Sequence, residues 1–121
     1  MRSRRCLLAS CVLLLATGHA LAFPDGSTAP SADEISKRLS DRVFRVKLAN
    51  GTTWRLDFKS SGYVYVDTST GFRNNGKWRT ENGKLCSRMQ GGDESCNEAR
   101  LFEDTLHLRR LDGEIIRYVP Q

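Results

Sequence analysis

From Val43 to Val119 the chain alternates apolar and polar residues with a period of two, and turn residues interrupt the pattern about every ten positions. Phe44, Val46 and Leu48 alternate with Arg45 and Lys47; Trp54, Leu56 and Phe58 alternate with Arg55, Asp57 and Lys59. Successive side chains of a strand point to opposite faces, so each run makes one dry and one wet surface. Asn50-Gly51, Ser60-Ser61-Gly62, Asn82-Gly83, Gly91-Gly92 and Asp112-Gly113 punctuate these runs and leave eight candidate strands. No strand–helix–strand alternation appears, which excludes a parallel sheet. The pattern predicts an all-β fold: an antiparallel meander of about eight short strands, closed as a small barrel or folded as a sandwich. Both architectures produce the same alternation, so both stay open at this stage.

The first hairpin constrains its own register. A two-residue Asn50-Gly51 loop would pair even with odd positions and split the apolar set between two faces. A three-residue loop restores parity, and centring it on Gly51 sets Leu48 opposite Trp54, Val46 opposite Leu56 and Arg45 opposite Asp57. Asn50-Gly51-Thr52 also matches a glycosylation sequon, which turn chemistry already explains. Thr68 to Asn75, with Phe72 in its middle, reads as the longest irregular stretch.

Ahead of the strands, Ser31-Ala32-Asp33-Glu34 has the order of a capping box. Ala32, Ile35 and Leu39 share one helical face, so a short amphipathic helix runs to about Ser40 and covers one end of the sheet. Phe23 to Pro30, rich in Pro, Gly and small polar residues, reads as a flexible leader to a single β domain over 31–121.

Residues 1–22 read as a secretory signal. Arg2, Arg4 and Arg5 precede an apolar run from Cys6 to Ala16, and Ala20-Leu21-Ala22 supplies a small-residue cleavage site. The run is shorter than the roughly 20 residues a membrane span needs. Leu8-Ala9-Ser10-Cys11 has the order of a lipoprotein box, but such a box normally ends the apolar run, and Cys11 lies inside it. Cleavage after Ala22 predicts a periplasmic or secreted protein; a monomer is expected. Cleavage also changes the charge argument. The chain carries 19 basic and 14 acidic residues, and losing Arg2, Arg4 and Arg5 leaves 16 against 14, or +2. That small, interspersed excess does not make the clustered basic face a nucleic acid requires.

Cys86 and Cys96 remain as an even pair, and an exported chain favours a disulfide. Their midpoint falls in the Gln90-Gly91-Gly92 loop, which sets them directly opposite across a hairpin, within disulfide reach. Two cysteines and His107 fall short of the four ligands of a structural zinc site, so no metal or cofactor is expected. His107 alternates with Leu106 and Leu108 and is expected to face away from the core, exposed. No nucleophile motif or phosphate loop accompanies it. Asp57, Asp67, Asp93 and Glu94 are spaced as ordinary surface acids. Trp54, Phe58 and Trp78 read as core, whereas Tyr63, Tyr65, Phe72 and Arg73 have the composition of a recognition surface.

Gly76-x-Trp78, Leu85-Cys86, Cys96 and a closing Asp112-Gly113 hairpin together resemble small exported proteobacterial proteins of uncharacterised function. The resemblance implies a lipocalin-like or similar antiparallel barrel and no activity. A lipocalin carries its G-x-W near the first strand, whereas Trp78 lies in mid-chain, so no lipocalin pocket carries over. A barrel of eight short strands is expected to be filled by its own side chains.

Three functional expectations follow. The first is a non-enzymatic, accessory or inhibitor-like protein that binds a protein partner, with the leader entering the partner's groove. The second is a small-molecule carrier with a cavity lined by Phe44, Trp54, Leu56, Phe58, Val64 and Trp78. The third is a small hydrolase using His107.

Overall fold

The computed structural model describes residues 21–121. The signal reading falls almost wholly on residues 1–20, Cys6 and Cys11 included, and lies outside the described residues. The elements are α1 (Ala32–Leu39), β1 (Arg42–Lys47), β2 (Thr53–Phe58), β3 (Tyr63–Thr68), β4 (Arg73–Glu81), β5 (Lys84–Met89), β6 (Ser95–Phe102), β7 (Thr105–Arg109) and β8 (Ile115–Pro120). Every strand pairs antiparallel with its sequence neighbours, and β1 pairs with β8 to close the barrel. Closure decides between the two architectures left open by the alternation, and it removes the sheet edges that a sandwich would have to protect.

The connections explain which residues face inward. Four hairpins share one loop of three residues, in which the third is a glycine whose amide bonds the residue before the loop: Gly51 to Leu48, Gly62 to Lys59, Gly71 to Thr68 and Gly113 to Arg110. All four glycines have φ between 88° and 95°, the left-handed position that a type I turn followed by a bulge demands. The first of these loops is Ala49-Asn50-Gly51, centred on Asn50, so Val46 faces Trp54 and Phe44 faces Leu56. The expected loop length and face are right, and the expected register is shifted by two residues. Thr68–Asn75 is also shorter than expected: β3 and β4 run into it, and only the Ser69-Thr70-Gly71 loop and Phe72 separate them.

Two connections are tighter. Glu81 pairs with Lys84 across Asn82-Gly83, and Phe102 pairs with Thr105 across Glu103-Asp104. Glu103 and Asp104 both have positive φ, as a type I′ turn requires. A two-residue turn inverts parity. The inward residues are therefore even-numbered in β1–β4, odd-numbered in β5 and β6, and even-numbered again in β7 and β8.

Helix α1 closes the barrel end that holds the Ser60–Gly62, Asn82-Gly83 and Glu103-Asp104 turns. The Ser31 hydroxyl accepts a bond from the Glu34 amide, and Asp33 and Glu34 sit in the positive first turn. Ile35 and Leu39 are fully buried. Asn82 accepts from the Ala32 amide at 2.9 Å, Thr80 donates to the Ala32 carbonyl, and Arg38 pairs with Asp104 at 2.6 Å. Asp41, in a left-handed conformation, accepts from the Ser60 amide, and that bond holds its carboxyl below the usual carboxylate range.

Phe23–Pro30 differs from the flexible leader expected of it. Thr28 and Leu101 exchange two backbone hydrogen bonds of 2.9 and 2.8 Å, and the Gly83 amide donates to the Pro30 carbonyl. The Phe23 ring lies 5.3 Å from the Arg100 guanidinium and 4.9 Å from that of Arg109, a cation–π arrangement on the outer wall. The segment is tied down because β6 offers it backbone partners that composition alone does not reveal.

Candidate functional site: a cavity inside the barrel

The inward side chains of α1 and its end of the barrel pack closely. Phe58 meets Phe44 at 6.1 Å, Tyr118 at 6.0 Å and Trp78 edge-on at 5.5 Å, and Phe44 meets Tyr118 at 5.6 Å. This aromatic layer is a floor. Above it the interior is not filled. A cavity of about 490 Å³ opens between inward residues of β2 through β8, a size typical of small-molecule sites, about 300–1,000 Å³. The expected self-filled interior is thus overturned. Short inward residues in β4–β6, namely Asn74, Ser87, Ser95 and Asn97, leave the space that larger ones would occupy.

The cavity has two unlike walls. Trp54, Leu56, Phe58, Val64, Val66, Leu108 and Ile116 make an apolar wall over β2, β3, β7 and β8. On β4–β6, Asn74, Ser87, Ser95 and Asn97 set a row of polar groups among the apolar Leu85 and Met89 of β5. Asn97 spends its Nδ2 on the Arg109 carbonyl at 2.9 Å, which leaves Oδ1. The Asn74 Oδ1 accepts from the Asn75 amide at 2.8 Å, which leaves Nδ2. Tyr118 lines the floor at 7% exposure. Burial alone pushes its phenol above the usual tyrosine range, with no charge or hydrogen bond contributing. Among the described residues no sealed polar side-chain atom lacks a partner, so the unspent polar atoms of this wall face cavity space.

At the end opposite α1 the cavity lining reaches Thr68, Phe72, Arg110, Leu111 and Asp112. Arg110 stands over the Trp54 ring at 5.1 Å and bonds Glu114 at 2.7 Å and Asp112 at 3.2 Å. Glu114 in turn accepts from the Ala49 amide, which ties two rim loops together. Phe72 and Leu111 border the opening and are 58% and 87% exposed.

Of the residues expected to line a cavity, Trp54, Leu56, Phe58 and Val64 do so, whereas Phe44 and Trp78 lie below in the aromatic floor. Of the expected recognition residues, only Phe72 borders the cavity. Tyr63 and Tyr65 are exposed on the outer face of β3, with Lys77 over the Tyr63 ring, and Arg73 pairs outward with Asp67 at 3.1 Å. Asn74, Ser87, Ser95, Asn97, Arg110 and Tyr118 were not expected. The signal for three of them was the parity inversion at Asn82-Gly83, which turns odd positions inward.

Cys86 and Cys96 pair directly and form the disulfide, with Cα atoms 4.0 Å apart, on the outer wall. Glu81 lies near both sulfurs, but sulfurs bonded to each other are not thiolate ligands. Arg79 bonds both Glu94 and Glu81 beside them, raising the guanidinium and holding the Glu94 carboxyl below its usual range. Asp57 pairs with Lys59, another outer-wall contact.

His107 faces outward from the barrel but is only 4% exposed, contrary to the exposed position expected. Ala22, Pro24 and Phe102 share a small cleft with it. Its Nδ1 bonds the Thr105 carbonyl at 3.1 Å, and its ring meets Phe102 edge-on at 6.2 Å. No carboxylate–histidine bond is made among the described residues.

Comparison with protein-family models, with curated proteins and with solved structures finds no match to this chain.

Proposed function

We propose that this protein binds a small, largely apolar molecule inside its barrel, as a carrier or sequestering protein outside the cytoplasm. The observation that carries this reading is the 490 Å³ cavity, walled by Trp54, Leu56 and Leu108. A domain this small gains its stability chiefly from interior packing, and an unfilled interior forgoes contacts that would stabilise it. A ligand that fills the space restores them. The order of residues 1–22 supports export, and a disulfide suits an oxidising compartment.

Titration with N-phenyl-1-naphthylamine, a neutral fluorophore that brightens in apolar surroundings, tests the reading. Saturable enhancement with one site per chain is expected, together with quenching of Trp54. Val66→Trp, which fills the cavity from β3, should abolish both while circular dichroism stays unchanged. An enhancement that never saturates, or that survives in a folded Val66→Trp variant, overturns the reading.

A protein partner on the outer wall is the second reading. It is favoured by Tyr63 and Tyr65, which stand uncovered side by side on β3. The inhibitor-like form of that reading loses its support, because the leader it would insert into a partner is bonded to β6. The hydrolase reading keeps none, since His107 faces a carbonyl and a phenyl ring.

A further inference from the structure

Resting on the cavity reading, we infer that the ligand is an uncharged molecule with one hydrogen-bonding edge, held with that edge against β4–β6 and its apolar side against Trp54, Leu56 and Leu108. Two independent features of the walls carry this. The first is where hydrogen-bonding capacity remains. Ser87 and Ser95 face each other across β5 and β6, and the unspent Asn97 Oδ1 lies on the same wall. They offer hydroxyl donors and an amide acceptor in one row. The Tyr118 hydroxyl adds a polar point at the floor, where the side chain is more than nine-tenths buried. A hydrocarbon would bury these groups without partners, which is unfavourable for each one left unsatisfied.

The second feature is where charge is already spent. The cations nearest the cavity are Arg109 and Arg110. Arg109 is held by Glu98 at 3.0 Å, and Arg110 by Asp112 and Glu114. The rim network therefore carries more acid than base, and the polar wall holds only neutral groups. A carboxylate or phosphate entering here would lose its water without meeting a free cation, which is strongly unfavourable. A cation would have to displace Arg110 to reach the rim acids, and it would still face neutral amides and hydroxyls below. An alcohol, phenol, amide or ketone on a flat apolar frame satisfies both walls at once.

Displacement of N-phenyl-1-naphthylamine by naphthalene, 2-naphthol and 2-naphthoate tests this with one ring system and three polarities. In the wild-type protein 2-naphthol should compete about tenfold better than either of the others, the worth of one or two net hydrogen bonds. In the Ser87→Ala/Ser95→Ala double variant that advantage should fall to about threefold or less, in part because naphthalene, no longer burying unpaired hydroxyls, competes better than before. Tyr118→Phe, which keeps the ring and its packing, reports the floor contribution separately. Equal competition by naphthalene and 2-naphthol overturns the inference and leaves the cavity reading standing. Preference for 2-naphthoate overturns it by revealing an unpaired cation. Failure of the fluorophore itself to bind overturns the cavity reading and this inference together.

Discussion

A methyl group at Gly76 would sit 2.7 Å from the Met89 Cα and closer still to the Arg88 carbonyl oxygen, both backbone atoms of β5. No side-chain rotation relieves such a contact, so glycine is required here by the close approach of two strands, not by a left-handed backbone. Gly76 also pairs with Val64 on the other side, so β4 cannot step away from β5 without disturbing β3. Gly76→Ala should therefore destabilise the barrel by about 3 kcal/mol, the cost of overpacking at a rigid site. Urea unfolding followed by tryptophan fluorescence would show it as a lower midpoint at unchanged slope. A midpoint within error of wild type would mean that β4 and β5 slide apart freely, and that the close approach is not a constraint of the fold.

Each hairpin combines a turn that sets parity with a pair that fixes register, and the Cys86–Cys96 hairpin adds a covalent clip. The disulfide closes ten residues of chain, and loop-closure entropy assigns such a clip roughly 2–3 kcal/mol. It lies on the outer wall, with Ser87 and Ser95 turned inward at the next position of each strand. The clip thus fixes the strands that carry the polar wall without touching the cavity. The Cys86→Ser/Cys96→Ser variant should lose about 2–3 kcal/mol in denaturant unfolding and still bind N-phenyl-1-naphthylamine with wild-type affinity under native conditions. Loss of binding with stability retained would place the disulfide in the site itself. The N-terminal segment is a different kind of fastening. Its backbone bonds to Leu101 and Gly83 and its ring between Arg100 and Arg109 hold it on the outer wall, with Ala22 and Pro24 beside His107, so deleting it should uncover a histidine that the strand pattern alone places in water.

At the scale of the whole molecule, the antiparallel meander was legible because the period of two and the glycine-bearing turns are local signals. The same is true of the Ser31 cap and of the cysteines placed opposite each other. Closure as a barrel rests on the β1–β8 pairing, which alternation does not report. The cavity was less legible because it depends on sums around a closed ring. Alternation from Phe44 to Val66 tells which residues face inward, and Trp54, Leu56, Phe58 and Val64 do. It does not tell whether the far wall fills the space they leave. That wall is β5 and β6, where the two-residue turn at Asn82-Gly83 brings Ser87, Ser95 and Asn97 inward in place of their larger neighbours Arg88 and Glu98. The register shift at Asn50 has a similar origin: loop length fixes parity, and only the hydrogen bond from Gly51 to Leu48 fixes the centre.

An interior built only for stability would hold apolar side chains at Ser87 and Ser95. Small hydroxyls there give up packing and keep polar atoms in a largely apolar enclosure. Filling one of these positions should therefore separate stability from binding. Ser87→Leu adds apolar volume where the cavity has room, and each methylene removed from water contributes about 0.8 kcal/mol before ordering costs. The variant should gain about 1 kcal/mol in urea unfolding and bind N-phenyl-1-naphthylamine about tenfold more weakly. Greater stability with unchanged binding would show that the probe sits elsewhere. Lower stability would show that Ser87 is already in a packed environment, and that the space beside it is narrower than the walls of Trp54, Leu56 and Leu108 make it.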